Sequence, residues 1–139
     1  MIVSTKGRYA LRLLVDLAEH LSDGYVPLKV LAERQQISVK YAESIMTLLS
    51  KGGLIAAERG ATGGYRLTTS PDEITVGQVL ATAEGAIHAV ACLEENAAPC
   101  PRVEQCKTVG LWRKLDELVD GYLAKVTLAQ LVEGNVPQA

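Results

Sequence analysis

The sequence contains no phenylalanine, one tryptophan and two histidines among its 139 residues. A core must therefore be built mainly from Leu, Val, Ile and Ala, which favours helices. Two histidines leave few general bases, and no Ser/His/Asp set, paired-acid arrangement or nucleotide-binding loop is visible. We therefore expect that the chain is not an enzyme. No apolar stretch approaches the ~20 residues that a membrane-spanning helix needs, so we also expect no membrane partner.

The sequence offers little support for export. Arg12 and Asp16 interrupt the apolar part of the N-terminal segment, unlike a secretory signal. Three cysteines, an odd number, argue against a structural disulfide set, so we expect a cytoplasmic protein. The charges are unevenly divided: residues 1–66 hold nine Lys/Arg against six Asp/Glu, a balance of +3, whereas residues 67–139 hold five against ten, a balance of −5. This asymmetry is expected when only the first half meets a polyanion.

Residues 1–84 read as a winged helix-turn-helix domain, which takes in the first half of the chain and the helix that follows the wing. Ser38 is a good N-cap for a helix that ends at Gly52-Gly53, and a Gly-rich turn separates two short strands. The fold class predicted for the chain is mainly α with a small β-hairpin wing. Helices are predicted over 5–21, over 28–36 and from residue 39, and the second and third of these form the helix-turn-helix, about 28–51. Strands are predicted over 54–58 and 65–68, and together they form the wing, about 54–68.

The second half begins with a helix capped by Thr75 and closed at Gly85. Residues 85–108 carry little periodicity, so we predict a loop, and its three cysteines make it a candidate sensor loop. A long dimerisation helix is predicted over 109–126, followed by a short helix, capped by Thr127, and tail over 127–139. The long helix shows the a/d rhythm of a helix that packs on a partner helix, at Leu111, Leu115, Leu118, Tyr122 and then Lys125 or Val126.

The helix after the turn is the predicted DNA-reading element, because such a helix presents its N-terminal side chains to base edges in the major groove. Lys40 can neutralise a phosphate. Glu43 can accept a hydrogen bond from a cytosine amino group and repels phosphate, so it would discriminate among sequences. The side chains predicted to face DNA are Ser38, Lys40, Tyr41, Glu43, Ser44 and Thr47.

The hairpin tip is predicted to carry Arg59 and Arg66, with glycines such as Gly60 that let the backbone approach the sugar-phosphate wall. An arginine there can enter a narrow minor groove. Further phosphate contacts are predicted from the start of the first helix, at Lys6, Arg8 and Tyr9. The alternative is that the basic residues are ordinary solvated surface charges.

The cysteines Cys92, Cys100 and Cys106 follow the spacing C-x7-C-x5-C, which is a poor match to zinc sites. Iron–sulfur clusters tolerate wider spacing, and Pro99 and Pro101 stiffen the loop around the middle cysteine. Cluster ligation is therefore the favoured interpretation. A thiol redox switch and chance cysteines in a structural loop remain open, and His88 is a possible further ligand.

With these pieces in place, the chain resembles the IscR-type (Rrf-two) family of bacterial transcription regulators over nearly its whole length. The matching segments are STKGRYALRLLVDLA, LAERQQISVKYAESIMTLLSKGGL, ERGATGGYRL, TVGQVLATAEG and CKTVGLWRKLDELVDGYLAKVTLAQLV. The resemblance implies a homodimer that binds pseudo-palindromic, double-stranded promoter DNA as a repressor or activator. It also implies cluster ligation by Cys92, Cys100 and Cys106, a selectivity role for Glu43 and a minor-groove role for Arg59.

One position departs from the family pattern. The IscR pattern has a histidine three residues after the last cysteine, and Val109 stands there. Nitric-oxide-sensing relatives use a carboxylate near the N-terminus of the partner subunit, where this chain has Arg8. The fourth ligand is therefore open among His88, Glu104, another carboxylate and an exogenous ligand. We expect a 2Fe–2S rather than a 4Fe–4S cluster, which purified protein need not retain.

The predicted function is DNA-binding regulation in which the cluster controls DNA affinity or specificity. Two alternatives stay beside it. One is a regulator switched by thiol redox chemistry without a cluster. The other, from a different class, is an iron–sulfur carrier or electron-transfer protein whose winged fold mediates protein contacts.

Overall fold

The first half of the chain folds into three helices and a two-stranded hairpin. The computed structural model describes residues 2–139. Helices α1, α2 and α3 cover Thr5–Glu19, Leu28–Gln35 and Val39–Lys51, and the hairpin pairs strand β1, Ile55–Glu58, with strand β2, Gly64–Leu67. The second half adds α4 (Val76–Glu84), α5 (Val109–Leu123) and α6 (Leu128–Glu133). The predicted fold class, mainly α with a β-hairpin wing, is confirmed.

Side-chain caps fix where several helices begin. The Ser38 hydroxyl accepts a hydrogen bond from the Tyr41 amide, and Ser4 does the same for Gly7 at the start of α1. Thr75 and Thr127 each form a capping box with the glutamine three residues later. These caps satisfy amide groups that the first helical turn leaves without partners. The caps predicted at Ser38, Thr75 and Thr127 are confirmed.

Two helices end earlier than their patterns predicted. α1 ends at Glu19, and a short 3-10 turn follows over Leu21–Asp23. α5 ends at Leu123, so neither Lys125 nor Val126 continues the a/d positions that were predicted to pack on a partner helix. Val126 is instead buried against α4, where its carbonyl accepts a hydrogen bond from the Val76 amide at 2.8 Å. The prediction that Val126 could extend the dimer seam was therefore wrong.

The core lies between α1 and the helices around it, and it is aliphatic. Its fully buried side chains contain no aromatic ring, and the largest are Leu13, Leu14, Leu31, Ile45, Met46, Leu49, Ile74, Val79 and Leu128. α1 packs on α4, α6 and α3, so it supports the helix-turn-helix from behind. Burial of each such side chain contributes about 1.5–3 kcal/mol. The core composition expected from the lack of phenylalanine is confirmed.

The hairpin is attached to the helix-turn-helix by a short bridge. Val26 and Tyr65 exchange two backbone hydrogen bonds of 2.8 and 2.9 Å, which tie β2 to the segment before α2. Gly64 has a φ of 154°, and a Cβ there would overlap the Val26 carbonyl. Glycine is therefore required where the wing meets that segment. Among residues 2–139, no helix has both the length and the apolar character needed to cross a bilayer.

Candidate nucleic-acid interface and cysteine loop

α3 separates a buried apolar face from an exposed polar face. Ala42, Ile45, Met46 and Leu49 are buried, whereas the opposite face is polar and carries Ser38, Lys40, Glu43, Ser44 and Thr47. The hydroxyls of Ser44 and Thr47 donate to carbonyls one turn earlier in α3, which leaves their lone pairs free to accept. The exposed face therefore offers two cations, Lys40 and Lys51, one anion and several neutral polar groups.

A groove of about 550 Å³ joins the exposed face of α3 to the wing. Glu43 lines one side, and Arg59 and Gly60 line the other. The structure thus brings together the residues that the sequence assigned to base selectivity and to the minor groove. Tyr65 also lines this groove, and burial together with the negative charge of Glu43 raises the pKa of its phenol. Sequence reasoning did not single out Tyr65, although it directly follows the glycine pair of the wing.

Only one of the two wing arginines lies at the hairpin tip. Arg59 follows β1 directly and precedes Gly60, whose φ is 110°. Arg66 instead lies within β2, opposite Ala56, with its guanidinium 4.6 Å from the centre of the Tyr25 ring. This cation–π contact holds Arg66 on the side of the hairpin. The prediction that Arg66 lies at the tip was therefore wrong.

Three predicted DNA-contact residues lie at the start of α1, and one of them, Tyr9, contacts α3. Lys6 and Arg8 are exposed, and an Arg8 Nη donates to the Thr5 hydroxyl at 3.4 Å. The Tyr9 ring meets the Tyr41 ring edge-on, with centroids 5.9 Å apart and an interplanar angle of 76°. Edge-to-face packing of this kind is favourable between aromatic rings. Tyr9 therefore joins α1 to the first turn of α3.

The cysteine loop, residues 85–108, contains two short 3-10 turns and no longer element. Cys92, Cys100 and Cys106 are all free and exposed. Within residues 2–139, no three His, Cys, Asp or Glu side chains are grouped so that they could hold a metal ion. The structure therefore does not bring the three thiols together, although it leaves each of them accessible.

Cys106 differs from an ordinary thiol because of its place just before α5. Its sulfur lies 3.4 Å from the Thr108 hydroxyl. That hydrogen bond, the amides of Thr108 and Val109 and the charge of Arg102 together lower the pKa of the Cys106 thiol, against a small opposing effect of desolvation. The thiolate is the form of cysteine that binds metals and attacks disulfides. Its position therefore favours the reactive form of Cys106.

His88 is held by α5. Its Nδ1 lies 2.9 Å from one carboxylate oxygen of Asp116, and the Ala89 amide donates to the other oxygen at 2.6 Å. The hydrogen bond from His88, aided by the Ala89 amide, lowers the pKa of Asp116 although burial opposes it. Because an ionised carboxylate only accepts, the His88 Nδ1 carries the proton of this hydrogen bond. The other ring nitrogen, Nε2, is buried without a hydrogen-bond partner.

α5 exposes an apolar stripe. Leu111 and Leu118 have 60% and 61% of their surface exposed, and Leu115 and Tyr122 are half-buried on the same stripe. The Tyr122 hydroxyl donates to the Pro137 carbonyl at 2.8 Å, so this ring also contacts the C-terminal tail. Asp116 is the buried residue of this helix, a role that the sequence pattern did not reveal. The only hint in the sequence is that this carboxylate lies between Leu115 and Leu118, two leucines of the apolar stripe.

Comparison with known proteins gives the family. The profile of the Rrf2 family, described as iron-dependent transcriptional regulators, matches residues 3–134. The chain belongs to the Rrf2 family. Its relatives include the HTH-type transcriptional regulator IscR of Photobacterium profundum, which is 39% identical over 135 residues, 97% of this chain and 77% of that protein. IscR of Serratia proteamaculans is 40% identical over 97% of this chain and 81% of its own length.

Solved structures of the Rrf2 fold agree with this assignment. CymR, the global cysteine regulator of B. subtilis, has a TM-score of 0.77 at 34% identity, covering 96% of this chain and 98% of its own. T. potens IscR has a TM-score of 0.73 at 33% identity, covering 100% and 94%. The oxidized form of Staphylococcus aureus CymR has a TM-score of 0.73 at 34% identity, covering 96% and 97%. This Rrf2 member is an IscR-type, DNA-binding transcriptional regulator and not an enzyme.

Proposed function

We propose that this regulator binds pseudo-palindromic promoter DNA as a homodimer, and that an iron–sulfur cluster held by the cysteine loop controls its DNA affinity or specificity. The observation that carries the proposal is the position of the loop. It lies between α4, which packs on the DNA-binding helices, and α5, which exposes an apolar stripe. A change in the loop therefore acts on the connection between the DNA-binding half and the dimer helix.

DNA recognition is assigned to the groove-lining surface of α3 and the wing. Lys40 neutralises a phosphate, and Glu43 favours sites that offer a cytosine amino group while penalising close phosphates. Arg59, beside Gly60, enters the minor groove next to the major-groove site. Ser38, Tyr41 and Ser44 complete the reading face. The DNA-contacting surface extends along the DNA phosphate backbone through Lys6, Arg8 and Tyr9. Arg66 adds a DNA contact from the side of the hairpin.

The homodimer is supported by the exposed stripe of α5. Leu111 and Leu118 together leave a large apolar area in contact with solvent, and a second copy of the helix would cover it. Leu115 and Tyr122 lie on the same stripe at the spacing of a paired helix. A two-fold dimer places its two winged domains on two half-sites, which is why the operator is proposed to be pseudo-palindromic.

The donor set fits an iron–sulfur cluster in kind. Cys92, Cys100 and Cys106 would hold the cluster, because they supply three accessible thiols in one loop and the pKa of Cys106 is lowered. When bound, the cluster supplies a redox-sensitive group that links three points of the loop. Val109 has no donor atom, so the fourth position falls to His88, Glu104, another carboxylate or an exogenous ligand. A 2Fe–2S cluster remains the proposed type.

A thiol switch is the second candidate, and two observations favour it. All three thiols are exposed, and the pKa of Cys106 is lowered, which suits oxidation and disulfide exchange. The similarity to CymR, a cysteine regulator whose oxidized form has been solved in S. aureus, points in the same direction. In this version, a disulfide between two of the cysteines replaces the cluster as the constraint on the loop.

Anaerobic reconstitution separates the two candidates. We expect the wild-type chain to take up iron and sulfide and to develop visible charge-transfer absorbance, and we expect Cys92→Ser, Cys100→Ser and Cys106→Ser to lose both. Promoter-DNA affinity is then measured by anisotropy for loaded, unloaded reduced and unloaded oxidised protein at one fixed salt concentration. No iron uptake with a redox-dependent affinity would select the thiol switch. Iron uptake without DNA binding in any state would favour a carrier or electron-transfer protein.

A further inference from the structure

A buried carboxylate on α1 lies at the centre of a polar network behind the helix-turn-helix. Asp16 is only 4% exposed. Its Oδ2 accepts a hydrogen bond from the Gln35 side chain at 2.8 Å. Its Oδ1 lies 3.4 Å from the Arg34 Nε and 3.3 Å from the His20 Nδ1. Buried polar groups need partners, and the contacts with Arg34 and Gln35 join Asp16 of α1 to the last turn of α2.

Gln35 is held from a second direction by Arg12. The Arg12 Nε donates to the Gln35 side-chain oxygen at 3.0 Å, and one Arg12 Nη donates to the Gln35 carbonyl at 2.8 Å. Gln35 is the last residue of α2, and Gln36 after it adopts a left-handed conformation with φ of 56°. The arginine fork therefore fixes the residue from which the chain turns into α3.

The same guanidinium continues the network to α3 itself. It lies 4.6 Å from the centre of the Tyr9 ring, and Tyr9 in turn meets Tyr41 edge-on. Tyr41 lies in the first turn of α3, where its amide donates to the Ser38 hydroxyl. A continuous chain of contacts, which we call the Asp16–Tyr41 relay, thus runs through Asp16, Gln35, Arg12, Tyr9 and Tyr41.

We infer that Arg12 and Gln35 are positioning residues for sequence recognition, which set the orientation of α3 through the Asp16–Tyr41 relay without contacting DNA. The inference rests on the proposed recognition role of α3. Its rival is that Arg12, an exposed arginine, is simply one more phosphate contact. The two roles differ in what they control: a positioning residue governs discrimination between sequences, whereas a phosphate contact governs salt-dependent affinity for every sequence.

Arg12→Lys separates these roles, because lysine keeps the charge but cannot reproduce the fork on Gln35. The probe is the duplex that the wild-type protein selects from a random-sequence library, compared with a scrambled duplex of the same composition. We expect the ratio of the two affinities to fall about tenfold, the scale of one lost base contact. Affinity for the scrambled duplex and its salt slope should stay unchanged. The matched control is Arg113→Lys, at an exposed arginine of α5, which should keep the wild-type ratio.

Gln35→Leu provides a second variant, since it removes the side-chain contacts to Asp16 and Arg12 while keeping a good helix former. Amide hydrogen exchange over residues 38–44 gives a readout that needs no DNA, and we expect faster exchange there in both variants. An unchanged ratio in Arg12→Lys with unchanged exchange would overturn the relay. The relay would also be overturned by a different result for Arg12→Met. In that result, the slope of log affinity against log salt concentration falls by about 0.9, the value for one phosphate contact, while the ratio of the two affinities stays constant. If the wild-type protein selects no duplex, the recognition role fails, and the exchange measurement still decides the relay.

Discussion

The carboxylate of Asp116 on α5 binds the Nδ1 of His88, 28 residues earlier in the chain, at a distance of 2.9 Å. A second hydrogen bond, from the Ala89 amide, ends on the same carboxylate. All three cysteines lie between these contact points. The cysteine loop is therefore closed at its base by a side chain of the helix that exposes the apolar stripe, and any rearrangement of the loop acts against this closure.

Asp116→Ala should open the base of the loop. The substitution removes the acceptor of both the Ala89 amide and the His88 ring. A hydrogen bond to a charged group is among the stronger ones in a protein, so we expect amide exchange at Ala89 to rise by about tenfold or more. Exchange in α3 should not change, because that helix packs elsewhere. Asp120→Ala, at an exposed position of α5, serves as the control. Equal protection of Ala89 in the two variants would contradict the closure.

The same carboxylate predicts a pH dependence. The pKa of Asp116 is lowered in the folded protein, chiefly by its hydrogen bond to His88. A carboxyl group with a depressed folded pKa adds stability that is present above its unfolded pKa of about 3.9. That contribution is lost as the pH falls through the folded pKa. Thermal denaturation between about pH 7 and pH 2 should therefore show a steeper acid loss of Tm in wild type than in Asp116→Asn. Parallel curves would argue against this role.

The structure also shows why some features could be predicted from the sequence and others could not. The caps at Ser38, Thr75 and Thr127 could be predicted because each cap hydroxyl and the backbone amide that donates to it lie only three residues apart. Arg66 was misplaced because its partner, Tyr25, is distant in sequence and only the folded hairpin brings the two together. The contact between Arg12 and Gln35 could not be predicted for the same reason, since the two residues are 23 positions apart in the sequence. Short-range patterns fix the helices, whereas contacts between helices decide which polar residue is free to meet a ligand.

Cys106 should be reactive at lower pH than an ordinary thiol. The hydrogen bond from Thr108, with neighbouring amides, favours its thiolate. In a Cys92→Ser/Cys100→Ser variant, which leaves this single thiol, we expect the alkylation rate by iodoacetamide to reach half its maximum below the ordinary pKa of about 8.5. Adding Thr108→Val should shift the midpoint upward, since the hydroxyl is lost with little change of shape. If the midpoint is the same with and without Thr108→Val, the Thr108 hydroxyl is not the cause of the lowered pKa.

The proposed role of the apolar stripe of α5 in dimer formation can be tested by measuring the molecular mass of the protein in solution. Leu118→Glu places a charge where a second copy of α5 is proposed to pack, and burying an unpaired charge there is costly. We expect light scattering to show a dimer for wild type and a monomer for the variant at the same micromolar concentration. Affinity for a two-half-site duplex should then fall by about a hundredfold or more, because the second contact is no longer intramolecular. Affinity for a single half-site should stay the same. Leu21→Glu, at an exposed leucine after α1, controls for the added charge. A dimer that survives Leu118→Glu would place the interface elsewhere.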